Sequence, residues 1–309
     1  MSDRLIRWLC CGMIALSVID PGRELPVLAD PGTASSPAVG YVEQLLGNLE
    51  NFSIERAGTS IPLALLLPVR VGDRLVVRGT GSVALLQCGN RHIRVTERDS
   101  PFVVPSAPAP PSFLNRLGSL LIELGNRLTT QQAKTVTKVS TSSRGEEEPL
   151  AFPLLQDRTN RLPSGGSTLY LGWTGGVPPY EVRVLPQQSG VRQVARLTGV
   201  GRPRVTIPLA SPLPVGFFRV EISDRDGTQV RGTFEAAASL QPPVLDPTLQ
   251  EADVPASLRT VLSVDGWVKR NPDEWSLYAY QSIASLAESF EPARILRDCL
   301  EETRTCYER

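Results

Sequence analysis

The sequence contains one histidine, His92, and three lysines, Lys134, Lys138 and Lys269, among its 309 residues. A single histidine cannot supply a multi-histidine metal site, and no nucleophile and acid are spaced around it for a histidine-dependent triad. Acidic and basic side chains balance to a formal net charge of +0, so no global field attracts nucleic acid or a membrane surface. These absences predict a protein that is not an enzyme and that uses no metal, cofactor or nucleic acid.

The first thirty residues have the pattern of a secretory signal. The basic residues Arg4 and Arg7 are followed by an apolar run, Leu9–Ile19, and by a break at Pro21–Gly22. A cleavage site of small residues follows at Val27–Ala29. We predict that residues 1–29 are a signal peptide, which places the rest of the chain in the periplasm or outside the cell. The apolar run is too short to span a bilayer. The alternative is a buried N-terminal helix.

Three cysteines follow the signal segment, and they give neither a disulfide framework nor a metal-ligand spacing. We predict that Cys88 is a small core residue. Whether Cys299 and Cys306 pair stays open. On a continuous helix their Cα atoms would lie about 10 Å apart, beyond disulfide reach, so a pair requires the helix to end between them.

Glycine and proline are abundant, at 25 and 27 residues, and favour a chain of short strands and turns. After a flexible leader at 30–40, we predict a β domain over 40–104, with a polar-capped turn at 41–50 and glycine-separated strands from Phe52 to Val104. Alternation places Leu75, Val77, Ile93 and Val95 inward.

A linker with an amphipathic helix is predicted over 105–149. Pro105–Pro111 is stiff and extended, Ser112 caps a helix that runs to about Thr129, and Lys134–Pro149 is polar and mobile. One face of the helix carries an apolar stripe of Phe113, Leu114, Leu117, Leu120, Leu121, Leu124 and Leu128. The stripe packs against a β domain, or alternatively contacts a membrane or a partner.

Residues 150–239 contain seven strand candidates separated by turn signals, which predicts an antiparallel sandwich. The candidates are LAFPLL, STLYLGW, YEVRVL, VARLTG, RVTIPL, GFFRVEIS and VRGTFEAA. Trp173 and Phe217 are the predicted core anchors, because aromatic side chains bury the most area. Residues 240–309 are predicted as a linker and a three-helix unit, with helix starts at Asn271–Glu274 and at Glu291–Pro292.

The stretch around Gly72 resembles a FecR-type domain. The resemblance is carried by Gly72-Asp73-Arg74-Leu75, Gly81-Ser82, Val83–Leu86 and Gly89-Asn90, with Ile93 and Val95. It covers about 40–104, a fifth of the chain, and Cys88-Gly89-Asn90 replaces the acidic turn usual in the family. The resemblance implies a bacterial extracytoplasmic β-roll module. It does not transfer the family's anti-sigma signalling role, because that role needs a cytoplasmic segment and a transmembrane helix.

Residues 150–239 resemble bacterial immunoglobulin-like or fibronectin-type modules. The matching positions are Trp173, Tyr180–Val182, Gly216–Val220 and Asp226-Gly227. Such modules usually act as spacers or binding surfaces. The predicted fold class is mainly β and multidomain: a FecR-like β-roll domain and an antiparallel Ig-like sandwich, with an amphipathic linker helix and a short C-terminal helical unit.

The candidate ligand site is a basic face on the first β domain. Its residues are Arg70, Arg74, Arg78, His92 and Arg94, which alternation turns outward. Such a face could bind an anionic envelope polymer or an acidic partner loop; the alternative is an ordinary solvated arginine face. Two motifs that imitate a phosphate loop, Arg78–Ser82, and a calcium loop, Asp224–Gly227, are interpreted as hairpin turns.

Two functional hypotheses follow. The first is a secreted, non-catalytic envelope protein that binds protein or polymer, and it overlaps with a role in extracytoplasmic signalling. The alternative is a cell-wall or glycan hydrolase that uses two of the carboxylates Asp73, Glu97, Asp99, Asp224 and Asp226, which would have to lie about 5–10 Å apart in a cleft. The oligomeric state and the identity of the ligand are left open by the sequence.

Overall fold

The structure is a computed structural model that describes residues 36–88, 91–106, 111–141, 148–156, 159–187 and 193–302, with side chains omitted at 135–141. The described residues belong to one compact unit. The predicted signal peptide, 1–29, lies outside them, as do Gly89, Asn90 and Cys306. Within the described ranges the protein is mainly β, with four sheets and a smaller set of helices.

The first β module consists of two four-stranded antiparallel sheets. Its strands are β1 (Ala38–Leu46), β2 (Phe52–Arg56), β3 (Thr59–Pro62), β4 (Pro68–Arg70), β5 (Arg74–Val77), β6 (Val83–Cys88), β7 (Arg91–Thr96) and β8 (Phe102–Val103). One sheet has the order β4-β1-β6-β7 and the other β3-β2-β5-β8. Leu75, Val77 and Val95 are buried as alternation predicts, and Ile93 is half-buried against the same core.

Two predictions for this module need correction. The polar-capped turn occupies only the end of 41–50, at Leu49–Asn51 with Asn48 as its cap, and the rest of the segment belongs largely to β1, which begins at Ala38, inside the predicted leader, and lies between β4 and β6. A bulge between Val42 and Gln44 shifts the register of β1 and hides the period-two pattern from the sequence. The Arg78–Ser82 turn is not a hairpin, because β5 pairs in one sheet and β6 in the other.

The linker helix is longer than predicted and lies inside the protein. It has a short first segment, α1 (Phe113–Arg116), and a long second one, α2 (Gly118–Thr141), which continues past Thr129 into the segment predicted to be mobile. Every residue of the apolar stripe except Leu120 is buried. Ser112 makes no side-chain cap bond; its hydroxyl donates instead to Asp253 Oδ2 at 2.6 Å.

Helix α2 approaches the first β module closely at Gly125. A Cβ added there would lie 1.7 Å from the carbonyl oxygen of Leu65. One turn later the Thr129 hydroxyl accepts a hydrogen bond from the Leu65 amide at 2.9 Å, and Gln132 Nε2 donates to the Leu45 carbonyl at 3.0 Å. The absence of a side chain at residue 125 therefore sets the distance between helix and module.

Replacing Gly125 by alanine is expected to lower the free energy of unfolding by about 1–3 kcal/mol, because the backbone of Leu65 must move. In an unobstructed helix the same change stabilises by about 0.5–1 kcal/mol. Gly118→Ala is the matched control, since a Cβ there meets nothing within 4 Å. Denaturant unfolding of both variants measures the difference. Equal stability of the two variants would show that the approach at Leu65 relaxes freely.

The second β module has the strands of a two-sheet sandwich. They are β9 (Arg161–Pro163), β10 (Thr168–Gly172), β11 (Tyr180–Pro186), β12 (Ala195–Val200), β13 (Arg204–Pro208), β14 (Gly216–Ser223) and β15 (Gln229–Ala237). A five-stranded sheet has the order β12-β11-β14-β15-β9, and β10 pairs with β13. Pairing is antiparallel except between β9 and β15, which are parallel. The predicted all-antiparallel arrangement is therefore wrong at this edge.

Two further differences concern the core of this module. The segment LAFPLL is a turn rather than a strand, joined to the module by an isolated bridge between Ala151 and Thr174. Trp173 is buried as predicted, whereas Phe217 is exposed and its neighbour Phe218 is in the core. Val220 and Ile222 continue the buried face of β14 from Phe218, which turns Phe217 outward.

Three helices follow as predicted: α3 (Ala256–Arg270), α4 (Pro272–Ile283) and α5 (Glu291–Glu302). Helix α5 contacts the second module through Glu301, whose Oε1 accepts a hydrogen bond from Arg204 Nε of β13 at 2.7 Å. The same oxygen accepts from Tyr280 OH of α4 at 2.5 Å, which links the two helices. Cys299 is disulfide-bonded, and α5 ends three residues after it. Among the described helices, none is long and apolar enough to cross a membrane.

Candidate functional site

The predicted basic face of the first module is divided between two sheets. Arg70 ends β4 and His92 and Arg94 lie on β7, at opposite edges of one sheet, whereas Arg74 begins β5 in the other sheet and Arg78 follows it. The structure brings His92 and Arg94 together on one face of one strand. The five residues do not form one row.

Local contacts already use part of this charge. Arg74 Nη1 lies 3.5 Å from Glu55 Oε2, and His92 Nδ1 lies 2.8 Å from Glu43 Oε2. Arg70, Arg78 and Arg94 have no ion-pair partner among the described residues. This leaves three separated arginines rather than a concentrated site.

A concentrated arginine surface lies on the second module instead. Arg196 on β12, Arg183 on β11, Glu221 on β14 and Arg231 on β15 are direct neighbours across four strands. Direct neighbours in an antiparallel sheet share a face, and adjacent strands lie about 4.8 Å apart. Arg219 lies two positions before Glu221 on β14 and faces the same way. We call Arg183, Arg196, Arg219 and Arg231 the arginine row.

Glu221 is the carboxylate at the centre of the row. Its side chain is only 6% exposed, because three guanidinium groups cover it. Arg219 Nε lies 3.0 Å from Oε1, Arg231 Nε lies 3.4 Å from the same oxygen, and Arg183 Nη2 lies 3.4 Å from Oε2. Glu221 thus brings the guanidinium groups of three strands close together. Its single negative charge does not neutralise their three positive charges.

Glu181, on β11, holds two arginines in the same way, one on its own strand and one on the edge strand β12. Arg196 Nε donates to its Oε1 at 2.9 Å, and Arg183 Nε lies 3.3 Å from that oxygen. The row therefore carries four positive charges against the two negative charges of Glu181 and Glu221. The four arginine side chains remain 36% to 61% exposed.

The free ends of the guanidinium groups give the row its chemistry. Arg196 and Arg219 lie nearest to glutamate through Nε, and their Nη groups make no hydrogen bond with the described residues. The two Nη groups of an arginine form a planar fork that matches carboxylate or phosphate oxygens in a bidentate manner. The row can therefore bind an anion from solvent without giving up its internal contacts.

Phe217 extends the same face beyond Arg219. Its side chain is 57% exposed, and it is directly paired with Glu235 on β15. Val215 nearby is also exposed, before the strand begins. A flat aromatic ring thus lies two positions along the strand from the arginine row, open to solvent.

The sequence contained a signal for this row that was missed. Each of the segments YEVRVL, VARLTG, GFFRVEIS and VRGTFEAA has one arginine between apolar or small residues, at an outward position of its strand. What the sequence could not provide was the pairing register, which decides whether the four arginines lie side by side or apart.

The carboxylates of the hydrolase hypothesis have structural contacts. Asp73 is buried and accepts hydrogen bonds from Arg56 Nε at 3.0 Å and Nη2 at 2.7 Å. Hydrogen bonds from the side chain and backbone of Thr96 hold the pKa of Asp99 below its usual value, and Glu97 accepts from the Gly79 amide at 3.2 Å. Each carboxylate thereby stabilises its own turn.

The two acids of the second module form a hairpin turn. Asp224 Oδ1 accepts from the amides of Asp226 at 3.1 Å and Thr228 at 2.8 Å, and Arg225 Nε donates to Asp226 at 3.0 Å. The turn joins β14 to β15, as the sequence predicts. In the described part of the chain, no group of three or more His, Cys, Asp or Glu side chains is arranged to hold a metal ion.

A pocket of about 240 Å³ lies between α2, α3 and the segment before α3. Leu120, Leu249 and Leu262 form part of its apolar wall, and Asp265 and Lys269 lie at its polar end. These two charges are paired with each other at 3.0 Å, and Lys269 also contacts Glu123 at 2.7 Å. The polar end is therefore already satisfied, and we do not assign a ligand to this pocket.

Comparison with known proteins gives little guidance. The chain matches no protein-family model and no curated protein. Among solved structures, CopC from Methylosinus trichosporium OB3b is 20% identical over 26% of this chain and 84% of its own, with a TM-score of 0.20. Selenomethionine PcoC, a copper resistance protein from Escherichia coli, is 15% identical over 27% of this chain and 98% of its own, with a TM-score of 0.17. Similarities this weak carry no argument about the present chain.

Proposed function

We propose that this protein is a non-catalytic protein of the bacterial cell envelope that binds an anionic partner through the arginine row. The observation that carries the proposal is the arrangement of four exposed arginines around two glutamates, with guanidinium ends open to solvent. A positive surface of this kind attracts and orients an anionic partner. This replaces the first-module face as our leading binding site.

The location and the modules are part of the same proposal. The signal-like pattern over 1–29 supports export. The GDRL motif at residues 72–75 supports a FecR-like module over 40–104, and its Asp73 is the carboxylate that joins β2, β4 and β5. The five-stranded and two-stranded sheets of the second module support an Ig-like module over 150–239. A role in extracytoplasmic signalling through a bound partner fits the same surface.

Binding is favoured over hydrolysis because of how the candidate acids are used. A glycosidase needs two carboxylates that face one cleft and are free to act on substrate. Here Asp73 is covered by Arg56, and Asp224 accepts two backbone hydrogen bonds within its own turn. We therefore retain no hydrolase as a second candidate.

Removal of two arginines tests the proposed site. In the variant Arg196→Gln/Arg219→Gln, Glu181 and Glu221 keep their contacts with Arg183, so the fold is retained. Each exposed ionic contact is worth up to about 1 kcal/mol, so the affinity for an anionic polymer should fall roughly tenfold. Titration of polygalacturonate and of poly-L-glutamate into the full chain at low salt measures the loss.

The matched control removes the same charge from the first module. Arg78→Gln/Arg94→Gln changes two exposed arginines that have no ion-pair partner in the described ranges, and it should leave both affinities unchanged. If the control loses affinity and the row variant does not, the basic face of the first module is the site. If the unaltered chain binds neither polymer, the proposed function fails.

A further inference from the structure

We infer that the group recognised by the arginine row is a phosphate monoester, which binds as a compact dianion at the three guanidinium groups around Glu221. This inference rests on the proposed function and specifies the chemistry of its ligand. It comes from the convergence of these guanidinium groups, from their exposure above the carboxylate and from the positive charge that remains there.

Three arginines from three strands converge on the single carboxylate of Glu221. Arg219 Nε and Arg231 Nε lie 3.0 Å and 3.4 Å from the same oxygen, Oε1. Arg183 Nη2 lies 3.4 Å from the other oxygen, Oε2. The guanidinium groups are therefore gathered at one point of the sheet, where one small anion can contact more than one of them.

The guanidinium groups cover the carboxylate and leave donors for a second anion. Glu221 is nearly buried, whereas the three arginine side chains are exposed, so an anion from solvent meets the positive groups first. Arg231 Nη2 donates to Gln229 Oε1 at 2.9 Å. Both Nη groups of Arg219 and the Nη1 groups of Arg183 and Arg231 make no hydrogen bond with the described residues. These groups can donate to a ligand while the contacts with Glu221 stay in place.

The charge around Glu221 matches a dianion. Three positive charges surround one negative charge, so two positive charges remain. Glu181 does not remove this excess, because Arg196 Nε donates to it at 2.9 Å and balances its charge. Another acid on this face, Glu235, is paired with Arg161 at 3.0 Å.

A phosphate monoester fits this excess better than a carboxylate or a phosphate diester. At pH 7 it carries about −1.5 to −2 charges and three acceptor oxygens on one phosphorus atom, and guanidinium forks bind such oxygens in a bidentate manner. A carboxylate or a diester brings one negative charge and leaves a positive charge unbalanced. A dicarboxylate brings two charges, but carbon atoms hold them apart, whereas the guanidinium groups lie together.

The test compares small anions titrated into the full chain at pH 8 and low salt. Glycerol 3-phosphate is the monoester, succinate divides the same total charge between two carboxylates, and dimethyl phosphate is a diester with a single charge. We expect glycerol 3-phosphate to bind about fivefold more tightly than either, the scale of one exposed ionic contact. An affinity no higher than that of succinate or of dimethyl phosphate overturns the inference.

Inorganic phosphate is the fourth anion, and it separates the two sources of this chemistry. An affinity equal to or below that of glycerol 3-phosphate supports the ester as the ligand. Tighter binding of inorganic phosphate overturns the ester in favour of the free ion.

Two single variants test the position of the anion at Glu221. Arg231→Gln removes one of the two arginines that share Oε1, and Glu221 keeps its other two arginines, so the fold is retained. This variant should weaken glycerol 3-phosphate binding about fivefold. Arg196→Gln is the matched control, because it removes a similarly exposed arginine that contacts Glu181 instead, and it should change the affinity less than about twofold. Equal losses for the two variants overturn the inference.

The two polymers report separately on the proposed function. Binding of polygalacturonate or poly-L-glutamate without a preference for glycerol 3-phosphate among the small anions retains the proposed function and overturns the inference. If the unaltered chain binds neither polymer, the proposed function fails and the inference fails with it.

Discussion

Replacement of Trp173 by alanine is expected to lower the free energy of unfolding by about 3–5 kcal/mol. The indole is 1% exposed and contacts the Tyr180 ring edge-on, with 5.1 Å between ring centroids. It follows β10 directly, and its amide donates to the Pro203 carbonyl at 2.9 Å. Alanine would leave a cavity in the core of the second module, which the surrounding strands cannot close without moving.

The control for this prediction is Phe217→Ala. Phe217 resembles Trp173 in the sequence, as an aromatic residue within a strand candidate, but its side chain is exposed. Surface substitutions of this kind change stability by only about 0.5 kcal/mol or less. Denaturant unfolding measures the free energy of unfolding of both variants. A similar decrease for Trp173→Ala and Phe217→Ala would mean that Phe217 is buried and that the burial pattern of β14 is incorrect.

Replacement of Arg56 by alanine is expected to destabilise the first module by about 3 kcal/mol. Arg56 Nε and Nη2 donate to both oxygens of Asp73, which is 3% exposed, and Nη2 also donates to the Pro68 carbonyl at 2.8 Å. Without Arg56, the carboxylate of Asp73 keeps one hydrogen bond from the described part of the chain, the one that the Arg70 amide donates at 2.7 Å. A buried charge that has lost its partner is among the costliest defects in a fold.

Two further variants separate this effect from a simple loss of charge. Arg74→Ala removes an arginine from an exposed pair with Glu55 in the same sheet and should cost about 0.5 kcal/mol or less. The double variant Arg56→Met/Asp73→Asn removes both charges and should recover part of the lost stability. Chemical denaturation measures all three. A small loss for Arg56→Ala would show that water reaches Asp73.

Local patterns in the sequence predicted most of the second module because its strands are short and alternate cleanly. The segments around Val182, Ile207 and Phe234 form strands as predicted, and Asp226-Gly227 forms the hairpin turn. Alternation alone could not choose between Phe217 and Phe218, since both are aromatic and adjacent. The choice is made by Val220 and Ile222, whose burial fixes the face of the strand.

Long-range pairing explains the other differences. β1 was missed because its bulge places two residues opposite one and breaks the alternation. β9 is only three residues long, and it pairs with β15, the last strand of the module in the sequence. Sequence windows contain neither the bulge nor the partner, so no local signal distinguishes these segments from loops.

The candidate site depended on register in the same way. The outward arginines of β5 and β7 were visible, but the two strands belong to different sheets, which separates Arg74 from Arg94. The arginines of β11, β12, β14 and β15 were equally visible and become one row only through the pairing of those strands. A charged surface that crosses several strands thus depends on how those strands pair, whereas a charged surface along one strand can be predicted from the alternation of its residues.

The parallel pairing of β9 with β15 affects the order in which the second module can assemble. Arg161 and Glu235, which face each other across this pair, are 74 positions apart in the chain. During synthesis from the N-terminus, β9 emerges first and waits for the final strand before any ladder hydrogen bond can form on it. The edge of the five-stranded sheet is therefore completed only after the last strand of the module has been synthesised, whereas both sheets of the first module have all their strands before β9 appears.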